Sequence, residues 1–261
     1  MKRPASQVKL KAAPQAWSVI ALDLKQQLVR KFESERKPRR AVEMAKYVRE
    51  MFPFYGLKAP QRRNSARTVL QQWRKAHGIQ TVQEDLAKAV LRALYACKER
   101  EMHYVGAEFC AELMRSGPVT PRFLDVVKFG VTTKSWWDTV DIFAASAMSN
   151  YILTCGQGKP CKEVLQVMDR WAVSENLWLR RTAILSQLKL KDKADLTRLT
   201  LGPTRYVLQN KDHEDFFVKK AIGWALRHHA HYDPKWVRQF LSEHGDGLAS
   251  LSYKEASKHL K

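Results

Sequence analysis

Apolar residues recur in this chain at intervals of three and four, and almost nowhere in strict alternation. That pattern constrains the fold more than any motif, because residues three or four apart share a helix face, whereas a half-buried strand alternates. Gly-bounded segments rich in Val, Ile and Thr are missing, and the 261 residues include only 11 glycines. Residues 16–32 set the type, with Trp17, Ile20, Ala21, Leu24 and Leu28 on one stripe. Further helices are expected near 41–52, 60–76, 82–97, 101–115, 121–130, 135–154, 160–173, 176–190, 194–209, 213–232, 234–244 and 252–260. Their breaks carry Gly117-Pro118, Thr120-Pro121, the stretch Gly156 to Pro160, Asp233-Pro234, and Gly245 with Gly247. Pro121 and Pro234 suit the first turn of a helix, where the missing N–H has no intrahelical partner to lose.

The expected fold class is therefore all-α. Helix pairs returning every ~35–45 residues suggest an α-solenoid of HEAT-like pairs, with a globular helical bundle as the competing reading. Residues 1–15 read as a loose basic tail and 16–261 as one repeat domain. The hydrophobic content of 45% is enough for a real core, and no apolar run approaches a membrane span. The basic N-terminus lacks a continuous apolar stretch and does not read as a signal peptide. Cys97, Cys110, Cys155 and Cys161 form no C-x-x-C pair and no metal spacing, which suits reduced thiols and a cytoplasmic location. No metal and no cofactor are expected.

Charge narrows the partner. Lys and Arg number 46 against 26 Asp and Glu, a net charge of +20. Such an excess raises self-repulsion and usually answers a polyanion, most commonly nucleic acid. The cations come as doublets along the whole chain (Arg39-Arg40, Arg62-Arg63, Arg180-Arg181, Lys219-Lys220), which favours a folded surface over a basic arm. In a solenoid this would be a basic concave face, a shape that fits duplex DNA.

Three stretches carry chemistry. In a helix from Ser135 onward, Trp136, Val140, Phe143 and Ala147 make a core stripe, and Trp137 points about 100° away. Lys134, Trp137, Asp141, Ala145 and Met148 then share a second face, while Asp138 reads as a solvated acid near the helix start. A half-buried boundary tryptophan beside a solvated Asp141 is the plainer alternative. In "FFVKKAIGWALRHH" (216–229), Trp224 aligns with Lys220, Arg227, His228 and His231, away from the Val218, Ala221, Ile222, Ala225 face. Aromatics interleaved with cations suit sugars and bases with phosphates beside them. His228, His229 and His231 read as facing solvent or phosphate. In "NLWLRRTAILSQL" (176–188), Arg181 sits in an apolar stripe and needs an anion, either a protein carboxylate or a DNA phosphate. A phosphate-binding Gly loop, G-x-S-x-G, H-E-x-x-H and the zinc-deaminase pattern are all absent, so a lone carboxylate with aromatic support is the best catalytic set on offer.

At these residues the sequence resembles a known family. "VTTKSWWDTVD" (131–141), "ENLWLRRTAIL" (175–185) and "FFVKKAIGWALR" (216–227) look like signature blocks of the AlkD DNA glycosylases, and "MAKYVREMFPFYGLKAPQRR" (44–63) matches their N-terminal block. The similarity runs from about residue 25 to the C-terminus. It implies a HEAT-like solenoid on duplex DNA that releases N3- and N7-alkylated purines, engaging the lesion from the backbone without flipping the base. Carried over, the catalytic carboxylate falls on Asp141, the cleft tryptophans on Trp137 and Trp224, the cleft arginine on Arg181, and a DNA-contacting tyrosine on Tyr47. Lys134, Lys220, Arg227 and Arg63 join Arg181 and Tyr47 as expected DNA contacts. A monomer acting on alkylated double-stranded DNA, without a membrane, is the expected setting. A longer basic N-terminal extension and Arg180 beside Arg181 depart from the family pattern. The rival readings are a non-catalytic HEAT scaffold for damaged or branched DNA and a protein-interaction solenoid.

Overall fold

The computed structural model describes residues 14–117, 119–190, 194, 206–211 and 214–260, and among them the chain is helical with no strand. In order come α1 (Pro14–Ser34), α2 (Pro38–Tyr47), α3 (Ala59–Ala76), α4 (Glu84–Tyr95), α5 (Arg100–Ser116), α6 (Leu124–Thr132) and α7 (Trp137–Asp141). A π-helical turn, Ile142–Ala147, continues α7 into α8 (Met148–Cys155). Then follow α9 (Lys162–Ala172), α10 (Leu177–Leu185), α11 (Tyr206–Gln209), α12 (Phe216–His229), α13 (Pro234–His244) and α14 (Ser250–Ala256). Short 3₁₀ turns lie at Pro121–Phe123, Gly245–Gly247 and Ser257–His259.

The elements form where the apolar spacing says they should. On α1, Trp17, Ala21, Leu24, Leu28 and Phe32 are buried along one stripe, packed against α3 and α4. On α4, Leu86, Val90, Leu91 and Leu94 are fully buried. Each such side chain contributes roughly 1.5–3 kcal/mol. The core runs on through α5, α6, α8, α9, α10 and α12 as one connected cluster ending at Ala256. A separate small cluster of Val48, Phe52 and Phe54 seats α2, with Met44, Tyr104 and Trp136 against it. None of the described helices is long and apolar enough to cross a membrane.

Several boundaries differ from the sequence reading. Helix α1 begins at Pro14, two residues before the expected start, and residues 1–13 of the expected tail lie outside the described residues. The pattern at 41–52 ends instead at Tyr47, because Arg49 and Glu50 both take left-handed backbone angles (φ 55° and 57°) that stop a helix. Of the segment 194–209, only Ala194 and Tyr206–Gln209 are among the described residues. Pro234 does occupy the first turn of α13, which Asp233 caps by accepting from Trp236 N.

Two close approaches fix the ground around α7. The helix and its π turn pack between α5 and α10, and α10 in turn packs on α12. Gly130 of α6 faces Phe143 of the π turn, where a Cβ would lie 2.6 Å from the ring. Gly223 of α12 faces Glu255 of α14 just as tightly, at 2.4 Å from its Cβ. Any side chain at either position would push apart the elements that carry Asp141 and Trp224.

Candidate functional site

The site starts from how α7 begins. Lys134 takes a left-handed conformation (φ 48°) and Trp136 an extended one (φ −157°), so helical geometry starts only at Trp137. Trp137 and Asp141 therefore stay four apart on one helical stretch, whereas Lys134 lies outside it. Its ammonium turns back to donate to the Cys97 carbonyl at 3.1 Å, so the expected shared face of Lys134 with Trp137 does not form. Trp136 is likewise not sealed in the core. It is half-buried, edge-on to Phe217 (centroids 5.1 Å) and 6.0 Å from Trp178, and its indole Nε1 has no acceptor.

Asp138, expected to be solvated, is locked inside. Its carboxylate accepts from Arg100 Nε (3.2 Å) and Nη2, from the Tyr104 hydroxyl (2.6 Å) and from Thr139 N (2.8 Å). Arg100 is wholly buried and also donates to the Lys134 carbonyl (2.8 Å) and Thr139 Oγ1 (2.8 Å). The sequence gives no helix-face signal for this pair, because Arg100 opens α5 far from α7 in the chain. This network pins the segment Lys134–Thr139, and with it the direction in which Trp137 and Asp141 leave the backbone.

Asp141 meets a second arginine. Arg181 donates Nε and Nη2 to the two carboxylate oxygens at 2.8 Å each, a planar two-pronged contact. Its third arm, Nη1, donates to the Phe217 carbonyl at 2.6 Å. Arg181 is buried, and of the two anions open to it in the sequence it takes the carboxylate. Burial pushes the Asp141 carboxyl above the usual carboxylate range, and the guanidinium pulls against that shift. Helix α10 holds Arg181 in place through Asn176, whose side chain caps Trp178 N and Leu179 N. Asp215 caps α12 in the same way through Phe217 N and Val218 N. The two helices that complete the site thus have fixed starts.

Aromatic rings surround the pair. Tyr47, at the end of α2 and 72% exposed, stands edge-on to Trp137 with centroids 5.8 Å apart. The Arg181 guanidinium carbon lies 6.0 Å from the Trp224 ring centroid, and both Trp137 and Trp224 are half-buried. Helices α2, α7, α10 and α12 so link Tyr47, Trp137, Asp141, Arg181 and Trp224, ring to ring from Tyr47 to Trp137, one helical turn from Trp137 to Asp141, and through Arg181 from Asp141 to Trp224.

The remaining expected contacts lie elsewhere in the network. Lys220 donates to Glu255 at 2.7 Å, Arg227 also pairs with Glu255, and Lys258 reaches the same carboxylate at 2.5 Å. The Lys220 and Lys258 ammonium groups hold the Glu255 carboxyl down to about 2. Lys220 and Arg227, one turn either side of Trp224, thus share a single carboxylate on α14 with Lys258, so both are paired while the cluster stays positive. Sequence reading missed Glu255; a lone acid among Lys254, Lys258 and His259 was the available signal. Arg63 is exposed and donates to Glu108 at 2.9 Å on α5. His229 is buried against Trp236 and His228 half-buried, each with a buried Nε2 that has no hydrogen-bond partner among the described residues, so neither is the solvent- or phosphate-facing group expected.

Among curated proteins no match is found. A solved structure described as a predicted DNA alkylation repair enzyme from Enterococcus faecalis superposes with a TM-score of 0.71 at 28% identity, covering 86% of this chain and 96% of that one. The family model for the DNA alkylation repair enzymes matches residues 28–260, a span that takes in every residue of the site. The chain belongs to the family of DNA alkylation repair enzymes.

Proposed function

We propose that this protein is a monofunctional alkylpurine DNA glycosylase, with residues 16–261 as a single HEAT-like solenoid presenting a basic concave face to duplex DNA. The observation that carries this reading is the Asp141 carboxylate, held at both oxygens by Arg181 and set beside Trp137 and Trp224. Alkylation at N3 or N7 makes a purine cationic, so the base is already a good leaving group and needs no general acid. What remains is positive charge growing on the deoxyribose. A carboxylate at that position stabilises the oxocarbenium-like state and orients or deprotonates the attacking water. The electron-rich faces of Trp137 and Trp224 favour the same charge.

Arg181 serves in this reading as a positioning residue. Each of its three nitrogens already donates within the protein, to Asp141 or the Phe217 carbonyl, and the side chain is buried, which argues against a primary phosphate contact. Tyr47 is exposed beside Trp137 and free to meet the DNA backbone. The sugar, not the base, is what this arrangement addresses, so base flipping is not required of it.

The test is release of 7-methylguanine or 3-methyladenine from defined duplexes. Wild-type protein is expected to free the base and leave an abasic site. A protein that binds the duplex yet releases no base is a non-catalytic DNA-binding member of the fold, and the glycosylase reading fails.

A further inference from the structure

A groove of about 680 Å³ lies between α3 and α5, away from the rings that surround Asp141 but bordered by Ile142, the next residue in the chain. Its composition is divided. Leu70, Val105, Phe109 and Ile142 make an apolar floor, while Arg67, Arg74 and Arg115 stand on the rim. Glu112 holds Arg74 through Nη2 at 3.1 Å, but the buried Arg74 Nε has no acceptor. Arg67 and Arg115 are exposed and make no ion pair among the described residues. The lining carries the guanidinium groups of Arg63, Arg67, Arg74 and Arg115 against the carboxylates of Glu108 and Glu112, a positive balance that suits an anion from outside. Phosphates alone would ask for cations without an apolar floor, and an apolar ligand alone would ask for no guanidinium rim. A ring with a phosphate attached asks for both.

From this division we propose that the groove holds one unpaired nucleotide of bound DNA, its base on the Phe109–Ile142 floor and its phosphate on Arg67, Arg74 and Arg115. The inference rests on the DNA-binding part of the proposed function and not on base release. It adds a preference for duplexes carrying a nucleotide outside the stack, next to the site at Asp141.

The experiment measures binding of fluorescein-labelled duplexes to the full chain at one fixed salt concentration, by anisotropy. The duplexes are fully paired, carry a single unpaired adenine, or carry an abasic tetrahydrofuran in the same place. The adenine bulge should bind about tenfold tighter than the paired duplex, which is the scale of one stacked base. The abasic bulge bends DNA in the same way but lacks the ring, and should lose that gain. The double variant Arg67→Ala, Arg115→Ala should bring the ratio of bulged to paired affinity to about one. Added deoxyadenosine monophosphate should compete the bulge preference away. Equal affinity for paired and bulged DNA overturns the proposal, as does a preference kept by the abasic bulge or by the double variant. Free nucleotide that binds without any bulge preference overturns it too, in favour of a soluble nucleotide as ligand. Base release from a paired alkylated duplex is scored separately, so loss of that activity sinks the glycosylase reading while the binding ratio still decides the groove.

Discussion

Two carboxylates on one short helix, Asp138 and Asp141, each take a two-pronged arginine contact and yet differ in what they can still do. Asp138 spends its oxygens on Arg100, the Tyr104 hydroxyl and Thr139 N, in a network built around the fully buried Arg100. Asp141 takes one bond at each oxygen, both from Arg181, which leaves acceptor capacity on each. The charges are alike; the supply of neighbouring donors is not. A carboxylate whose every acceptor site is filled fixes structure, and one that is held but not filled can meet a developing charge or a water.

The largest test of that contrast substitutes the two acids in parallel. Asp141→Asn is expected to slow base release about 100-fold or more, the scale of losing one preorganised electrostatic group, with binding of undamaged duplex largely kept. Asp138→Asn leaves the buried Arg100 without its anion and should cost about 3–5 kcal/mol of stability, read as a fall in denaturant midpoint, while the folded fraction still releases base. If Asp138→Asn abolished release in fully folded protein, the division between the two acids would collapse.

A smaller effect is expected at Arg181. Arg181→Lys keeps the charge but loses the planar fork, so Asp141 is held at one point instead of two. Single-turnover release should fall about tenfold with little change in duplex affinity, since the arginine is spent inside the protein. A loss of affinity with unchanged rate would return Arg181 to a phosphate-binding role.

Two pH dependences follow, the smallest effects. In the proposed mechanism base release needs ionised Asp141, whose carboxyl burial raises, so the acid limb of the rate profile should lie above the usual carboxylate value of about 4. Stability should move separately. Burial lowers His103 to about 4 and shifts His228 and His229 in the same direction. Each binds a proton in the unfolded chain near 6.5 but not in the folded one, so stability is lost as pH falls from about 6.5 towards 4. Thermal midpoints across that window check the sign, and a midpoint that rose on acidification would contradict it.

How far the sequence reached depended on the range of the signal. Spacing of three and four marks a helix face because neighbours on that face are local, and so α1 and α12 were legible with their buried stripes and α4 as a helix. The same rule put Trp137 and Asp141 on one face correctly. It failed at Lys134, because a left-handed residue and an extended Trp136 cut the helix just before Trp137. It placed Asp138 in solvent for a related reason: nothing within four residues reveals Arg100, which comes from another helix.

The sequence by itself determined that the chain is helical, strongly basic and carries Asp141 one helical turn after Trp137, since periodicity, charge and residue type are all local properties. Tertiary structure alone decided which cation meets which acid. Arg181 went to Asp141, Arg100 to Asp138, and Lys220 with Arg227 to Glu255, partners 28 to 40 residues apart. Pairing at that distance depends on how helices pack, and side-chain spacing along one helix carries no record of it.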